Sequence, residues 1–164
     1  MSKSLKRVIA ALEAAGIRPE VLETGEETRT AEQAAAAAGC ELDQIVKSIL
    51  FQGGTTGDLF LFLTAGGNRV DAMAAARLTG EPMGRADGVL VRQVTGFAIG
   101  GVAPVGHLNA LPAWADPRLM EFDRVWAAAG TPRHIFPVEP QVLLRISGAR
   151  LANFAGAGDS AHVK

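Results

Sequence analysis

The stretch Ile45–Ala65, IVKSILFQGGTTGDLFLFLTA, decides how this chain folds. Its apolar arms, Ile45–Gln52 and Leu59–Ala65, have the length of strands and flank GGTTGD, a run of turn-forming residues, so a β-hairpin is predicted. The second arm is apolar on both faces, which places it centrally in a sheet. In the first arm, alternation puts Ile45, Lys47, Ile49 and Phe51 on one face. A lysine in such company is seldom fully buried without a partner. Two readings of Lys47 stand: it snorkels to solvent at the strand's start, or it points into a cleft and holds an anionic or carbonyl group.

Upstream, Leu5, Val8, Ile9 and Leu12 recur at helical spacing, with Gly16 as a stop. Glu20–Thr24 reads as a short strand. Thr30-Ala31-Glu32-Gln33 has the form of a capping box and opens an alanine helix that ends at Gly39. Downstream, Asp71–Leu78 and Asp87–Val94 are predicted helices, the second weakened by Gly88. Pro112–Ala115 reads as a strand, and Asp116-Pro117 as a helix start with proline in its first turn. Val125–Ala128 and His134–Val138 are predicted strands around a turn at Gly130-Thr131-Pro132. Pro140–Ile146 reads as a helix and Leu151–Phe154 as a last strand. These elements do not alternate as βαβ units. The expected fold is a mixed α/β domain over residues 1–155, with a largely antiparallel, barrel-like sheet, surrounding helices and a frayed tail over 156–164.

Composition narrows the function. The 164 residues are 48% hydrophobic and 20% charged, as in ordinary globular domains, and suffice for one real core. A net charge of -1 provides no global basic field for nucleic acid, so any RNA contact must come from a local patch. A single cysteine, Cys40, excludes an intrachain disulfide and fits a reducing compartment, so a cytoplasmic protein is expected. No apolar run is long enough to span a bilayer.

The segment Thr95–His107, TGFAIGGVAPVGH, holds Gly96, Gly100, Gly101, Gly106 and Pro104. Such a cluster is either a turn between strands or a loop whose free N–H groups point into a pocket. There is no P-loop, no dinucleotide fingerprint, no nucleophile elbow and no Cys/His spacing for zinc, so neither a metal nor an organic cofactor is expected. His134 and His162 are scattered and read as structural, whereas His107 closes the glycine segment and is a candidate. Asn68 and Arg69 follow the central strand, where binding residues often sit.

Four segments in register, IVKSILF, LFLTAGGNRVD, TGFAIGGVAPVGH and AAAGTPRHIFPV, give the chain its character. With them it resembles the YbaK/ProX family of aminoacyl-tRNA editing domains, which includes free-standing deacylases and a domain inserted in bacterial prolyl-tRNA synthetases. The resemblance runs from TAEQAA to LLRISGARLANF. It implies a cleft for the acceptor end of a mischarged tRNA and hydrolysis of the ester to a small amino acid (cysteine, alanine or similar), with proline tRNA as the expected carrier. Lys47 matches the family's functional lysine, Gly100, Gly101 and Pro104 its pocket loop, and Gly130 and Thr131 a second loop. The resemblance thus implies Lys47 and Gly101 as catalytic. Substrate binding would fall to Thr30, Ser48, Asn68, Arg69, Phe97, Gly100, Pro104, Gly106, His107, Gly130 and Thr131. Ser48 departs from the asparagine typical of alanine-editing members and from the threonine frequent in the cysteine-editing branch. A synthetase is a further expected partner. A non-catalytic module holding a nucleotide or tRNA end, or a synthetase-associated factor, is the alternative.

Overall fold

The hairpin forms and is the spine of the sheet. In the computed structural model, which describes residues 1–157, β2 (Ile45–Gly53) and β3 (Leu59–Ala65) pair antiparallel, with Lys47 opposite Thr64. β3 is buried at every position because each face has its own cover. Leu59, Leu61, Leu63 and Ala65 join the main core with Leu5, Val8 and Leu12 of α1 (Lys3–Ala14), Val91 of α4 (Gly88–Thr95) and Leu143 of α5 (Pro140–Ser147). Phe60 and Phe62 face the other way, towards Ala74 and Ala75 of α3 (Ala72–Thr79). There Phe62 stacks on Trp114, ring centroids 5.3 Å apart, and meets Phe154 edge-on at 5.0 Å. Fully burying a ring of this kind contributes about 1.5–3 kcal/mol relative to leaving it in water.

The strand order is β1 (Leu22–Glu23), β8 (His134–Val138), β7 (Val125–Thr131), β2, β3, β6 (Ala113–Ala115) and β9 (Arg150–Leu151), with β5 (Met83–Arg85) also on β2. The pairs β2–β7, β3–β6 and β6–β9 are parallel and the others antiparallel, so the sheet is mixed. Among the described residues no ladder joins β1 to β9, so the pairing is that of an open path.

One edge of β2 is taken by β3 along nearly its whole length. The other edge is shared. β7 takes its start, at Ile45 and Val46, and β5 takes its end, from Phe51 to Gly53. Between these partners, residues 47–50 carry no strand on that edge. The sheet has a gap there.

Above Lys47's face lies α2 (Ala31–Ala38), opened by the expected capping box of Thr30 and Gln33 and closed at Gly39. Its buried Ala31, Ala34 and Ala35 pack on Ile45, Trp126 and Ile135, and their small side chains let the helix lie close to the sheet. No helix of the described residues is long and apolar enough to cross a membrane.

Several expectations are corrected. β7 runs on through Gly130 and Thr131, with a bulge between Ala128 and Thr131, so the turn comes later, at Pro132 and Arg133. Gly130 makes this possible by adopting φ +95, which a side chain would resist. Asp116-Pro117 opens a 3-10 turn, Pro117–Glu121, and not an α-helix. The last predicted strand shrinks to Arg150–Leu151, because Phe154 turns into the aromatic core. Three short strands escape pattern recognition: β4 (Asn68–Val70), β5 and β10 (Ala155–Ala157). β10 pairs with β4, so Gly156 and Ala157, expected in the tail, are held in a ladder. The rest of that tail, 158–164, with His162, lies outside the described residues.

Candidate active site

The gap in the sheet opens into a cavity of about 410 Å³. β2 lends it Val46, Ser48, Ile49 and Leu50, β7 lends Ala128, and Arg85 and Ala86 close the side where β5 ends. The remaining wall is the glycine segment, through Ile99, Gly100 and Val102. The lining is mainly apolar, as small-molecule sites are, with few polar groups.

The glycine segment is therefore a braced loop and not a turn between strands. Gly100, at φ +94, reverses the chain, and the Gly101 amide donates to Ala98 O at 3.0 Å. Arg7 of α1 ties both ends, donating to Gly96 O at 2.6 Å and Gly106 O at 3.3 Å. Its guanidinium also lies 4.8 Å from the centre of the Phe97 ring, which is fully buried. His107 meets the same ring edge-on and hydrogen-bonds Ala103 O through Nε2 at 2.7 Å. Burial pushes the His107 pKa down, against the pull of that carbonyl, with the Arg7 charge adding to the depression. Phe97, Pro104, Gly106 and His107 thus brace the loop from behind, and none of them lines the cavity. The Gly101 N–H is spent inside the loop, whereas Gly100, which lines the cavity, makes no backbone hydrogen bond through its amide among the described residues.

Lys47 is 4% exposed, so it does not snorkel. Its ammonium donates to the backbone carbonyl of Asn68. Burial pushes its pKa below the usual lysine value, and the carboxylates of Glu32, Asp116 and Asp43 pull it partly back. Asn68 is anchored in turn, its Nδ2 donating to Asp116 Oδ2 at 2.8 Å, and Asp116 also accepts from the Ala65 amide at 3.1 Å. The amide of Gly67 donates to Asp43 Oδ1 at 2.7 Å, and Arg118 donates to Asp43 Oδ2 at 2.8 Å. The resemblance implies Lys47 in the cleft bordered by the Gly100–Gly101 loop. The wall of the cavity takes Ser48 instead, the next residue in the strand, while the Lys47 ammonium sits by Asn68.

Gly101 abuts the second loop: a Cβ on it would lie 3.4 Å from Gly130 O and Thr131 Cα. Thr131 Oγ1 is 2.6 Å from His134 Nδ1 and also accepts from the Arg133 amide. His134, read as structural from the sequence, is therefore the histidine coupled to the loop beside Gly101. Thr30 serves as the α2 cap, and Arg69 stands apart on β4, by a groove it shares with Arg77 and β10. Arg85, Ile99 and Asp116 were not anticipated at the site. Arg85 and Asp116 belong to none of the segments that carry the resemblance, and Ile99 lies within the glycine segment, where attention went to the glycines beside it. Among the described residues no cluster of histidine, cysteine and acidic side chains could hold a metal.

The Ser48 hydroxyl is buried and has no hydrogen-bond partner among the described residues. An orphaned hydroxyl costs more than a methyl group at the same place. Ser48→Ala is expected to raise the unfolding free energy by about 1 kcal/mol in urea titrations. A loss of stability would show that the hydroxyl is paired within the folded chain.

A profile of the aminoacyl-tRNA editing domain matches residues 25–146. In three dimensions the chain superposes, with a TM-score of 0.88, on the crystal structure of a candidate trans-editing enzyme for prolyl-tRNA synthetase. The two are 47% identical, over 96% of this chain and 99% of the other. A hypothetical protein of known structure matches with a TM-score of 0.83 at 25% identity, covering 92% and 99% of the two chains. The uncharacterized protein YwhH of Bacillus subtilis (strain 168) is 29% identical over 133 residues, 80% of this chain and 83% of its own length.

Proposed function

Since the chain belongs to the aminoacyl-tRNA editing domain family, we propose that it acts in trans as a deacylase, hydrolysing the ester between a small, wrong amino acid and the terminal ribose of proline tRNA. The observation that carries this reading is the gap on the edge of β2, walled by apolar side chains, Ser48 and the Gly100 loop. Such a cavity suits a small aminoacyl group. Editing of this kind is needed where binding alone separates small side chains too weakly.

In the proposed reaction water adds to the ester carbonyl, the carbon–oxygen bond to the ribose breaks, and the ribose oxygen takes up a proton. Free amino acid and intact tRNA leave. The Gly100 amide is the donor for the oxyanion that develops, and the Ala98–Gly101 turn holds it in place. The role of Gly101 is then positional. Lys47, whose ammonium donates to Asn68 O outside the cavity wall, is assigned a second contact, to the terminal ribose, made with its remaining hydrogens when the charged end binds. No side chain of the cavity wall is an evident base, so rate comes from position, from these donors and from a hydroxyl or amine of the substrate. Thr131 and Ser48 border the amino-acid end of the proposed site. With a net charge of -1 the chain has little field to attract tRNA, and a synthetase partner is proposed to supply the tRNA selectivity.

Deacylation assays on proline tRNA charged with cysteine, alanine, serine or proline test this directly. Hydrolysis of one or more of the small esters, with the proline ester spared, is expected. Binding of the charged end without turnover would replace the enzyme by a binding module.

A further inference from the structure

An arginine and an exposed isoleucine border the same cavity from different walls. Arg85 lines the cavity, is exposed, and has no ion-pair or hydrogen-bond partner for its guanidinium among the described residues. Ile99 lines the same cavity yet is 59% exposed, and Val89 nearby is 65% exposed. The two belong to one ledge: a Cβ on Gly88 would meet Ile99 Cδ1 at 3.6 Å, so the isoleucine lies across the first turn of α4 beside Val89. Arg92 follows Val89 on the same helical face and is exposed as well. The carboxylate closest to Arg85 in sequence, Asp87, caps α4, accepting from the Leu90 amide at 3.1 Å.

We propose that this rim holds the 3′-terminal nucleotide of the tRNA, with the guanidinium of Arg85 on the phosphate 5′ to the terminal adenosine and the adenine on the Val89–Ile99 ledge. The assignment rests on the functional reading above, which puts the amino acid in the cavity. The ribose then sits at the mouth, and its base and its 5′ phosphate are one sugar away from it. A guanidinium fork suits a phosphate better than any other group at that distance. An aliphatic ledge gives a base a flat apolar contact without reading its edges. That suffices, because every tRNA ends in the same adenosine. With a net charge of -1 the chain has no broad basic field, so attraction at the rim is local and depends on Arg85, with Arg92 on the ledge side.

Three esters of the same small amino acid separate the possibilities: full-length tRNA, the dinucleotide CpA, and adenosine, which has no phosphate. Arg85→Ala is expected to raise KM about tenfold more on the tRNA and CpA esters than on the adenosine ester, as for one lost charged hydrogen-bonding contact, and Arg85→Lys to restore part of it. Ile99→Ser is expected to raise KM on all three esters, adenosine included. Equal losses by Arg85→Ala on CpA and adenosine would overturn the phosphate assignment while the deacylase reading stands. A loss confined to full-length tRNA, or one seen only with a synthetase present, would overturn it in favour of a contact farther from the ester. If the parent protein hydrolyses none of the three esters, the functional reading fails and this proposal with it.

Discussion

Lys47→Met loses deacylation by about a hundredfold or more and leaves a protein at least as stable as the parent. The loss is expected from the role proposed for Lys47 at the charged end, since one lost charged donor of that kind costs two to three powers of ten in turnover. The stability follows from burial. Lys47 is 4% exposed, its ammonium donates to the Asn68 carbonyl, and its pKa is depressed by loss of water. A depressed lysine pKa means that the native state disfavours the proton that the unfolded chain still binds. Between the lowered native value and the ordinary value of 10.5, the unfolded state holds the extra proton, so stability contributed by this group rises with pH across that window. Below it the charged group is a burden. Methionine matches the length of the stem without the charge, and replacing a buried ion by an apolar side chain of similar volume is often neutral or stabilising. Melting curves of parent and variant should therefore lie level, or with the variant higher, at neutral pH, and converge above the window. A folded variant with near-parental turnover would remove Lys47 from the site.

Gly66→Ala is expected to cost about 3 kcal/mol of stability, with activity falling beyond what the lost folded fraction explains. Gly66 is buried in the turn between β3 and β4, and a Cβ there would fall on the Leu42 carbonyl oxygen and within 3.3 Å of Ala31 Cβ. Neither neighbour is a flexible side-chain tip. The Leu42 carbonyl is backbone in the 3-10 turn Leu42–Gln44, and Ala31 opens α2. Nor can the turn retreat, because the next amide, Gly67, is bonded to Asp43. Any shift is passed to Asn68 and so to the carbonyl that holds Lys47. Gly101→Ala is the informative contrast. Its φ is outside the left-handed region and its Cβ would reach its neighbours only at 3.4 Å, so the melting temperature should barely move. Urea titrations of the pair decide the matter: a Gly66→Ala protein as stable as its parent would show that the contact between the turn and α2 is loose.

The hairpin, α1, the capped α2 and the strands at 125 and 134 were legible because each carries its own period and its own punctuation over enough residues to stand out. β4, β5 and β10 were not: three residues contain no period, and each is a strand only because a longer neighbour offers it an edge. Likewise, the glycine-rich segment announced a loop, but nothing in TGFAIGGVAPVGH says that Arg7, about ninety residues earlier, ties its two ends.

Local chemistry along the chain thus determined the element types, the mixed α/β class and, through four segments in register, the family. Tertiary structure alone decided which of the singled-out residues meet. It turned Phe97 and His107 inward as braces, set Lys47 against Asn68 and a buried Asp116, and coupled His134 to Thr131. It also made the cavity, by letting β7 and β5 take opposite ends of one edge of β2. The physical reason is the range of the interactions. Turn chemistry, capping and alternation act between residues a few positions apart and are written in the local sequence. A gap in a sheet depends on where two distant strands stop, and no single segment carries that information.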